Sequence, residues 1–197
     1  VEAGRFFVYG GHDAELLPAG RIGLLIEAAM AFGTGHHGTT LGCLRAFDRL
    51  LDQGRKFENV LDLGCGTAVL AMAAARMDVA SVMASDIDPV AVEVAAVNVV
   101  ANDLVGRVDC VESIGFDAPV LAQAAPFDLI FANILKGPLI DLAPAMAAHL
   151  APCGIAILSG LLVEQADDIV AVYKTQGVTL VEREDLGEWT ALTLSSA

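Results

Sequence analysis

The sequence is short of basic residues: 11 lysines and arginines stand against 25 aspartates and glutamates, which gives a formal net charge of −14. An acidic surface repels nucleic-acid phosphates, so direct contact with DNA or RNA is disfavoured. The same charge suits a basic protein partner, which it would attract by electrostatic steering. Solubility alone is the alternative reason for the charge.

Paired cysteines and long apolar runs are also missing. None of the four cysteines forms a C-x-x-C pair, so a zinc or redox motif is unsupported. The apolar runs stop short of the roughly 18 residues that a transmembrane helix needs, and we expect no signal peptide, because residues 1–5 are not a basic segment before an apolar core. We therefore expect a cytoplasmic protein with reduced cysteines and no membrane contact.

A regular alternation of strands and helices begins at Asn59. Apolar runs predict five parallel strands, with helices between them; the runs are 60–63, 82–85, 108–111, 129–132 and 155–159. Two further strand-like runs, 179–185 and 189–194, are separated by three residues, which predicts an antiparallel hairpin. The sequence thus predicts a Rossmann-like α/β fold, in which a doubly wound, mostly parallel seven-stranded sheet ends in a C-terminal antiparallel hairpin.

A Gly-x-Gly turn follows the first of these strands, where residues 61–67 read L-D-L-G-C-G-T. Such a turn lets the backbone approach a ligand closely. The next strand ends on Asp86, 20 positions after Gly66, where a carboxylate can bind both hydroxyls of a ribose. Asp88 precedes Pro89 and is expected to cap the next helix. The pattern indicates a cofactor that contains a nucleoside.

The third glycine of the dinucleotide fingerprint is absent, because that position holds Val69. A pyrophosphate would lose part of its usual cradle there, and no Gly-rich loop has the Lys-Ser/Thr ending of a P-loop. S-adenosylmethionine has a ribose and no phosphate, and methyltransferases of this class commonly end in a hairpin. It is therefore favoured over NAD, the cofactor of the alternative, a dehydrogenase. Asp62, just before the turn, is expected to hold loop amides or to reach the cofactor's amino group.

Asn133 ends the fourth predicted strand at the carboxyl edge of the sheet, where such sheets bind ligands. Its amide oxygen, with a nearby backbone carbonyl, could accept hydrogen bonds from an amine, which makes Asn133 a candidate catalytic residue. An ordinary asparagine in a strand-to-helix turn is the alternative. The Gly/Thr/His loop at 31–40 is expected to fold over the cofactor. Its adjacent His36 and His37 project in different directions, so no metal site is predicted.

Several stretches together resemble the ribosomal protein L11 methyltransferase family of bacteria. The glycine turn is shared by many methyltransferases, whereas F-G-T-G and N-I-L-x-G-P-L are much more specific. The matching stretches are A-F-G-T-G-H-H-G-T-T at 31–40, L-D-L-G-C-G-T at 61–67, S-D-I-D-P at 85–89, A-N-I-L-K-G-P-L at 132–139, L-S-G-L-L at 158–162 and E-W at 188–189.

The resemblance implies a class I S-adenosylmethionine-dependent methyltransferase that modifies lysine and/or N-terminal amines of a large-subunit ribosomal protein. Residues 31–197 would be its catalytic domain and 1–30 an N-terminal extension or linker, and the family carries a separate substrate-recognition domain besides. The implied cofactor-binding residues are Thr40, Gly64, Asp86 and Asn133, with Phe32 and Gly66 as additional contacts.

Three places depart from the family pattern. Residues 36–38 read H-H-G where the family usually has Thr-His-Pro, which affects the fine shape of the loop. Ala68 and Cys153 stand where the family has glycine. Neither side chain is charged or large, so we expect cofactor binding to survive. The alternatives left open are a methyltransferase of the same fold for a small molecule or another protein, and a non-catalytic cofactor-binding module.

Overall fold

The structure is a computed structural model that describes residues 1–27 and 38–197. For residues 1–30 the sequence predicts an irregular segment with one short strand, at 5–9. The structure has a small sheet in this part of the chain. The strands β1 (Glu2–Ala3), β2 (Phe6–Tyr9) and β3 (Ile22–Leu25) lie in that order, with β1 antiparallel and β3 parallel to β2. A 3₁₀ helix at Gly11–Leu16 joins β2 to β3.

The larger sheet has seven strands, as the sequence predicts. They are β4 (Asn59–Leu63), β5 (Ser81–Asp86), β6 (Asp109–Glu112), β7 (Phe127–Asn133), β8 (Leu150–Leu162), β9 (Val178–Leu186) and β10 (Trp189–Ser196). Their order across the sheet is β6-β5-β4-β7-β8-β10-β9. The first five are mutually parallel, whereas β10 runs antiparallel to both β8 and β9. The predicted mostly parallel sheet with a terminal hairpin is confirmed.

Helices cover both faces of this sheet. In the described residues they are α1 (Gly38–Asp52), α2 (Val69–Arg76), α3 (Pro89–Ala101), α4 (Pro119–Ala124), α5 (Lys136–Asp141), α6 (Ala143–His149) and α7 (Ala166–Thr175). The apolar residues of β4 alternate between the two layers: Val60 packs with α1 to α3, and Leu61 with α4 to α7. Both sheet faces are thus buried, which accounts for the hydrophobic content of 55%.

Between β7 and β8 the sequence predicts one helix, near 137–150. The structure has two helices there, which meet at Leu142, because Pro144 cannot donate a backbone hydrogen bond and its ring would clash with the preceding turn. None of the described helices is long and apolar enough to cross a membrane.

Phe47 of α1 joins the two sheets. Its ring lies 5.8 Å from Phe6 of the small sheet and 5.4 Å from Phe131 of β7, measured between ring centroids. All three side chains are fully buried. The small sheet therefore shares its core with the larger one.

Candidate functional site

The glycine turn after β4 is closed by backbone hydrogen bonds. The N–H groups of Gly64 and Cys65 both donate to the carbonyl of Ser85 at the end of β5, over 2.8 and 2.9 Å. Gly64 has φ +70°, and a Cβ added to it would lie 2.4 Å from Cγ2 of Ile134. Gly66 has φ +52°. The turn therefore needs glycine for its conformation, and at Gly64 for space as well.

The carboxylate of Asp86 is held at the mouth of this turn. Its Oδ2 accepts the N–H of Gly66 over 2.9 Å, and its Oδ1 accepts the N–H of Asp88 over 3.0 Å. Asp88 itself caps α3, because its Oδ1 accepts the N–H of Val90 over 2.9 Å, as predicted. A carboxylate offers about four acceptor positions, so Asp86 keeps about two for a ligand's hydroxyls.

Asn133 ends β7 and turns toward α1. Its Nδ2 donates to the Thr40 hydroxyl over 3.3 Å, which leaves Oδ1 as the acceptor of the side chain. The next residue, Ile134, lies against Gly160 of β8: a Cβ on Gly160, whose φ is +81°, would be 2.4 Å from the Ile134 carbonyl oxygen. Gly160 was not among the predicted site residues. Gly160 lies inside β8, where a glycine often marks a close approach of another backbone segment, but the sequence does not show which segment approaches.

Asp62 lies beneath the turn and is 1% exposed. Its Oδ2 accepts the N–H of Ala71 in the first turn of α2 over 3.0 Å. That helix starts after Ala68, which has φ +61° and no capping hydrogen bond of its own, so Asp62 serves as a remote cap. Burial raises the pKa of Asp62 to about 8; the Ala71 N–H opposes this shift and the charge of Asp86 adds to it.

Two exposed isoleucines lie beside Asp86 in sequence or in space. Ile87 follows it directly, and Ile114 follows Ser113, whose N–H donates to the Asp86 carbonyl over 2.8 Å. Their residues are 63% and 66% exposed, which is unusual for isoleucine. Neither isoleucine is a predicted site residue, because the sequence alone does not show whether an apolar side chain is exposed. They offer apolar surface next to the carboxylate.

The structure thus brings Gly66 to Asp86, Thr40 to Asn133, and Gly64 to the residue after Asn133, at the carboxyl edge of β4, β5 and β7. Phe32, His36 and His37 lie outside the described residues. Within 1–27 and 38–197, no three His, Cys, Asp or Glu side chains are grouped so as to hold a metal ion.

Comparison with known proteins gives the family. The sequence model of "Ribosomal protein L11 methyltransferase (PrmA)" matches residues 1–197. Proteins named ribosomal protein L11 methyltransferase from Rhodopseudomonas palustris and Bradyrhizobium diazoefficiens are 48% and 49% identical over 195 and 194 residues, which are 99% and 98% of this chain. These stretches are 66% and 65% of the two relatives, so the chain spans about two thirds of their length.

Solved structures agree. The ribosomal protein L11 methylase of Lactobacillus delbrueckii superposes with a TM-score of 0.78 at 26% identity, covering 96% of this chain and 92% of that one. A methyltransferase from Pyrococcus furiosus shares the fold, with a TM-score of 0.63 at 21% identity over 81% of this chain and 85% of its own. The chain belongs to the ribosomal protein L11 methyltransferase family.

Proposed function

We propose that this chain is the catalytic part of an S-adenosylmethionine-dependent methyltransferase that acts on lysine and/or N-terminal amines of ribosomal protein L11. The observation that carries the proposal is the Asp86 carboxylate, fixed by the N–H of Gly66 at the glycine turn, two strands away from Asn133 in the sheet order. Family membership supplies the reaction class and the name of the substrate.

The residues of the turn fit such a cofactor. The free acceptor positions of Asp86 suit the two ribose hydroxyls, and Gly64 and Gly66 keep side chains away from the ligand. Ile87 and Ile114 offer apolar surface for a planar base. Val69, at the position of the missing third glycine, is 3% exposed and packs in the core. This favours a cofactor without pyrophosphate.

Bound S-adenosylmethionine would supply a methyl group activated by its positively charged sulfur. Asn133 would bind the amine of the substrate. Because its Nδ2 donates to Thr40, its Oδ1 can accept an amine N–H and so direct the nitrogen lone pair toward the methyl group. A lysine amine, with an ordinary pKa of about 10.4, must lose its proton before attack. The role of Asn133 is thus positioning of the nucleophile, and Thr40 orients Asn133.

The substrate side of the proposal rests on charge as well. The net charge of −14 favours a basic protein and disfavours nucleic acid. We propose 31–197 as the catalytic domain. The second candidate is a methyltransferase that acts on another protein or on a small molecule. It is kept because the chain spans about two thirds of the length of its relatives.

Titration calorimetry and methyl transfer test the proposal in sequence. We expect saturable binding of S-adenosylmethionine and none of NAD, followed by transfer of labelled methyl to purified ribosomal protein L11. Uptake of NAD alone would overturn the cofactor assignment. Uptake of S-adenosylmethionine without transfer to any ribosomal protein would leave a methyltransferase for another acceptor or a non-catalytic cofactor-binding module.

Asn133→Ala tests the catalytic role. We expect methyl transfer to fall at least about 100-fold, because the amine is no longer aimed, while the melting temperature stays close to that of the wild type. Gln123→Ala, at an exposed position of α4, is the control and should keep full activity. Unchanged transfer by Asn133→Ala would remove this residue from the mechanism.

A further inference from the structure

The small sheet meets α3 along the free edge of β3. Ile22 and Ile26 donate their N–H groups to β2, to the carbonyls of Arg5 and Tyr9 over 2.8 and 2.9 Å. Because successive N–H groups of a strand point to opposite edges, those of Leu25 and Glu27 face away from β2. Both are received by side-chain amides of α3 or its C-terminal cap.

The side-chain amides of Asn98 and Asn102 bond to the backbone of this edge as a neighbouring strand would. Asn102 accepts the Leu25 N–H over 2.9 Å and donates to the Leu25 carbonyl over 2.7 Å. Asn98 accepts the Glu27 N–H through Oδ1 over 3.0 Å. Positions four apart on a helix rise about 6 Å, close to the roughly 6.6 Å between alternate strand residues. The two amides therefore match the spacing of the edge.

The nitrogen of the Asn98 side-chain amide bonds to the glycine turn. Its Nδ2 donates to the Thr67 carbonyl over 3.1 Å. Thr67 follows Gly66, whose N–H is held by Asp86. Asn98 and Thr67 are both fully buried, so a group left unpaired there would be costly. With Oδ1 taken by Glu27, the amide presents Nδ2 to Thr67.

We propose that Asn98 is a positioning residue for the glycine turn: it couples the docked edge of β3 to the Thr67 carbonyl and thereby sets affinity for the cofactor. This inference rests on the proposed function. It also makes β3, which lies within the predicted extension or linker, part of what supports the cofactor site. Asn98 acts through the turn and takes no part in the transfer itself.

Asn102 provides a matched control within the same helix. It is 4% exposed and binds the same edge of β3, but its side chain bonds to Leu25 and to the carbonyl of Asn98 and not to the turn. Loss of either side chain should destabilise the fold. Only loss of Asn98 should act directly on the turn.

The experiment compares Asn98→Ala with Asn102→Ala in the full chain. For Asn98→Ala we expect the Kd and KM for S-adenosylmethionine to rise about tenfold, the effect of losing the hydrogen bond that reaches the turn, with kcat at saturating cofactor within about twofold of the wild type. For Asn102→Ala we expect a lowered melting temperature and a Kd within about threefold of the wild type. Equal Kd values for the wild type and Asn98→Ala, or equal increases in both variants, would overturn the inference.

Two further measurements apply if Asn98→Ala does not fold. Asn98→Asp keeps an acceptor for the Glu27 N–H, but its ionised carboxylate cannot donate to Thr67, so it should weaken cofactor binding by a similar factor at a pH above the pKa of that carboxyl. In the wild type, cofactor should slow hydrogen exchange at the Leu25 and Glu27 amides, because coupling is reciprocal; unchanged exchange would overturn the inference. A wild type that takes up no S-adenosylmethionine would instead overturn the proposed function, and the inference with it.

Discussion

At the scale of single residues, Asp62 makes stability depend on pH. An unfolded aspartate loses its proton near pH 3.9, whereas burial raises the pKa of Asp62 to about 8 in the folded chain. Between these values the folded state binds the extra proton, so the free energy of unfolding falls as pH rises. The stabilisation by this group is complete below about pH 4 and is lost as pH rises through about 8.

Asp62→Asn removes this titration while keeping an oxygen that can accept the Ala71 N–H. We expect the stability of the variant to fall less than that of the wild type between about pH 5 and about pH 8. Chemical denaturation at several pH values measures this, with the exposed Asp117→Asn as the control. Parallel curves for Asp62→Asn and the wild type would contradict the assigned pKa.

Gly160 and Gly54 form a second matched pair, because both have φ +81°. Alanine at either position incurs the roughly 1–2 kcal/mol of the left-handed conformation. At Gly160 its Cβ would also lie 2.4 Å from the Ile134 carbonyl oxygen, whereas no atom is within 4 Å at Gly54. Gly160→Ala must therefore move the backbone next to Asn133.

We expect Gly160→Ala to lose most of its methyl transfer and Gly54→Ala to lose only stability, in the same assay. Equal activity in the two variants would show that the contact between Ile134 and Gly160 has no role in placing Asn133.

The site residues predicted from the residues themselves share one property: each has a local signal, a glycine in a turn or a polar residue at a strand end. Asp86 and Asn133 are of this kind. Thr40 and Phe32 were implied only by the family resemblance. Asn98 and Gly160 are of neither kind, because their partners Thr67 and Ile134 are distant in sequence and meet them only when the sheet and its helices have formed. Their contribution could not be predicted from local pattern.

At the scale of elements, α1 packs closely on β10. A Cβ on Gly42 would lie 2.8 Å from that of Ala191. Alanine in a helix is intrinsically better than glycine by about 1 kcal/mol, but here the contact forces the helix away from the sheet. We therefore expect Gly42→Ala to destabilise the protein and a second change, Ala191→Gly, to restore stability, as measured by denaturant unfolding.

Gly137 in α5 is the control for this pair, because no atom lies within 4 Å of its missing Cβ. Gly137→Ala should leave stability unchanged or raise it by up to about 1 kcal/mol. A stabilised Gly42→Ala would contradict the close packing of α1 on β10.

The sequence predicted the strands and helices whose apolar pattern is regular. It did not predict those parts of strands that form only because they pair with another strand. The centre of β8, 155–159, reads as a strand, whereas its first residues include Pro152 and Cys153 with φ +58°. Those residues belong to the strand because Leu150 pairs with Phe127 before the register shifts. Likewise the strands of the small sheet are short, and their contacts with Phe47 and α3 stabilise them more than any local pattern could.

At the scale of the whole molecule, the charge of −14 predicts a salt effect on substrate capture. Attraction between an acidic enzyme and a basic protein is screened beyond about 10 Å at an ionic strength of about 0.1 M. We expect kcat/KM for ribosomal protein L11 to fall steeply as salt is raised, with a smaller change in the Kd for S-adenosylmethionine. A kcat/KM that does not change with salt would contradict electrostatic steering of the protein substrate.

The position of β10 between β8 and β9 also limits the order in which the strands of the sheet can assemble. β9 is bonded to β10 and, in the described part of the chain, to no other strand, yet a ribosome makes β9 first. Until β10 inserts between β8 and β9, their facing edges have no ladder partner, and Leu192 and Leu194 are missing from the core. A growing chain therefore cannot add strands one after another to the end of the sheet. β9 joins the sheet only with or after β10, and until then the edge of β8 is open to other chains.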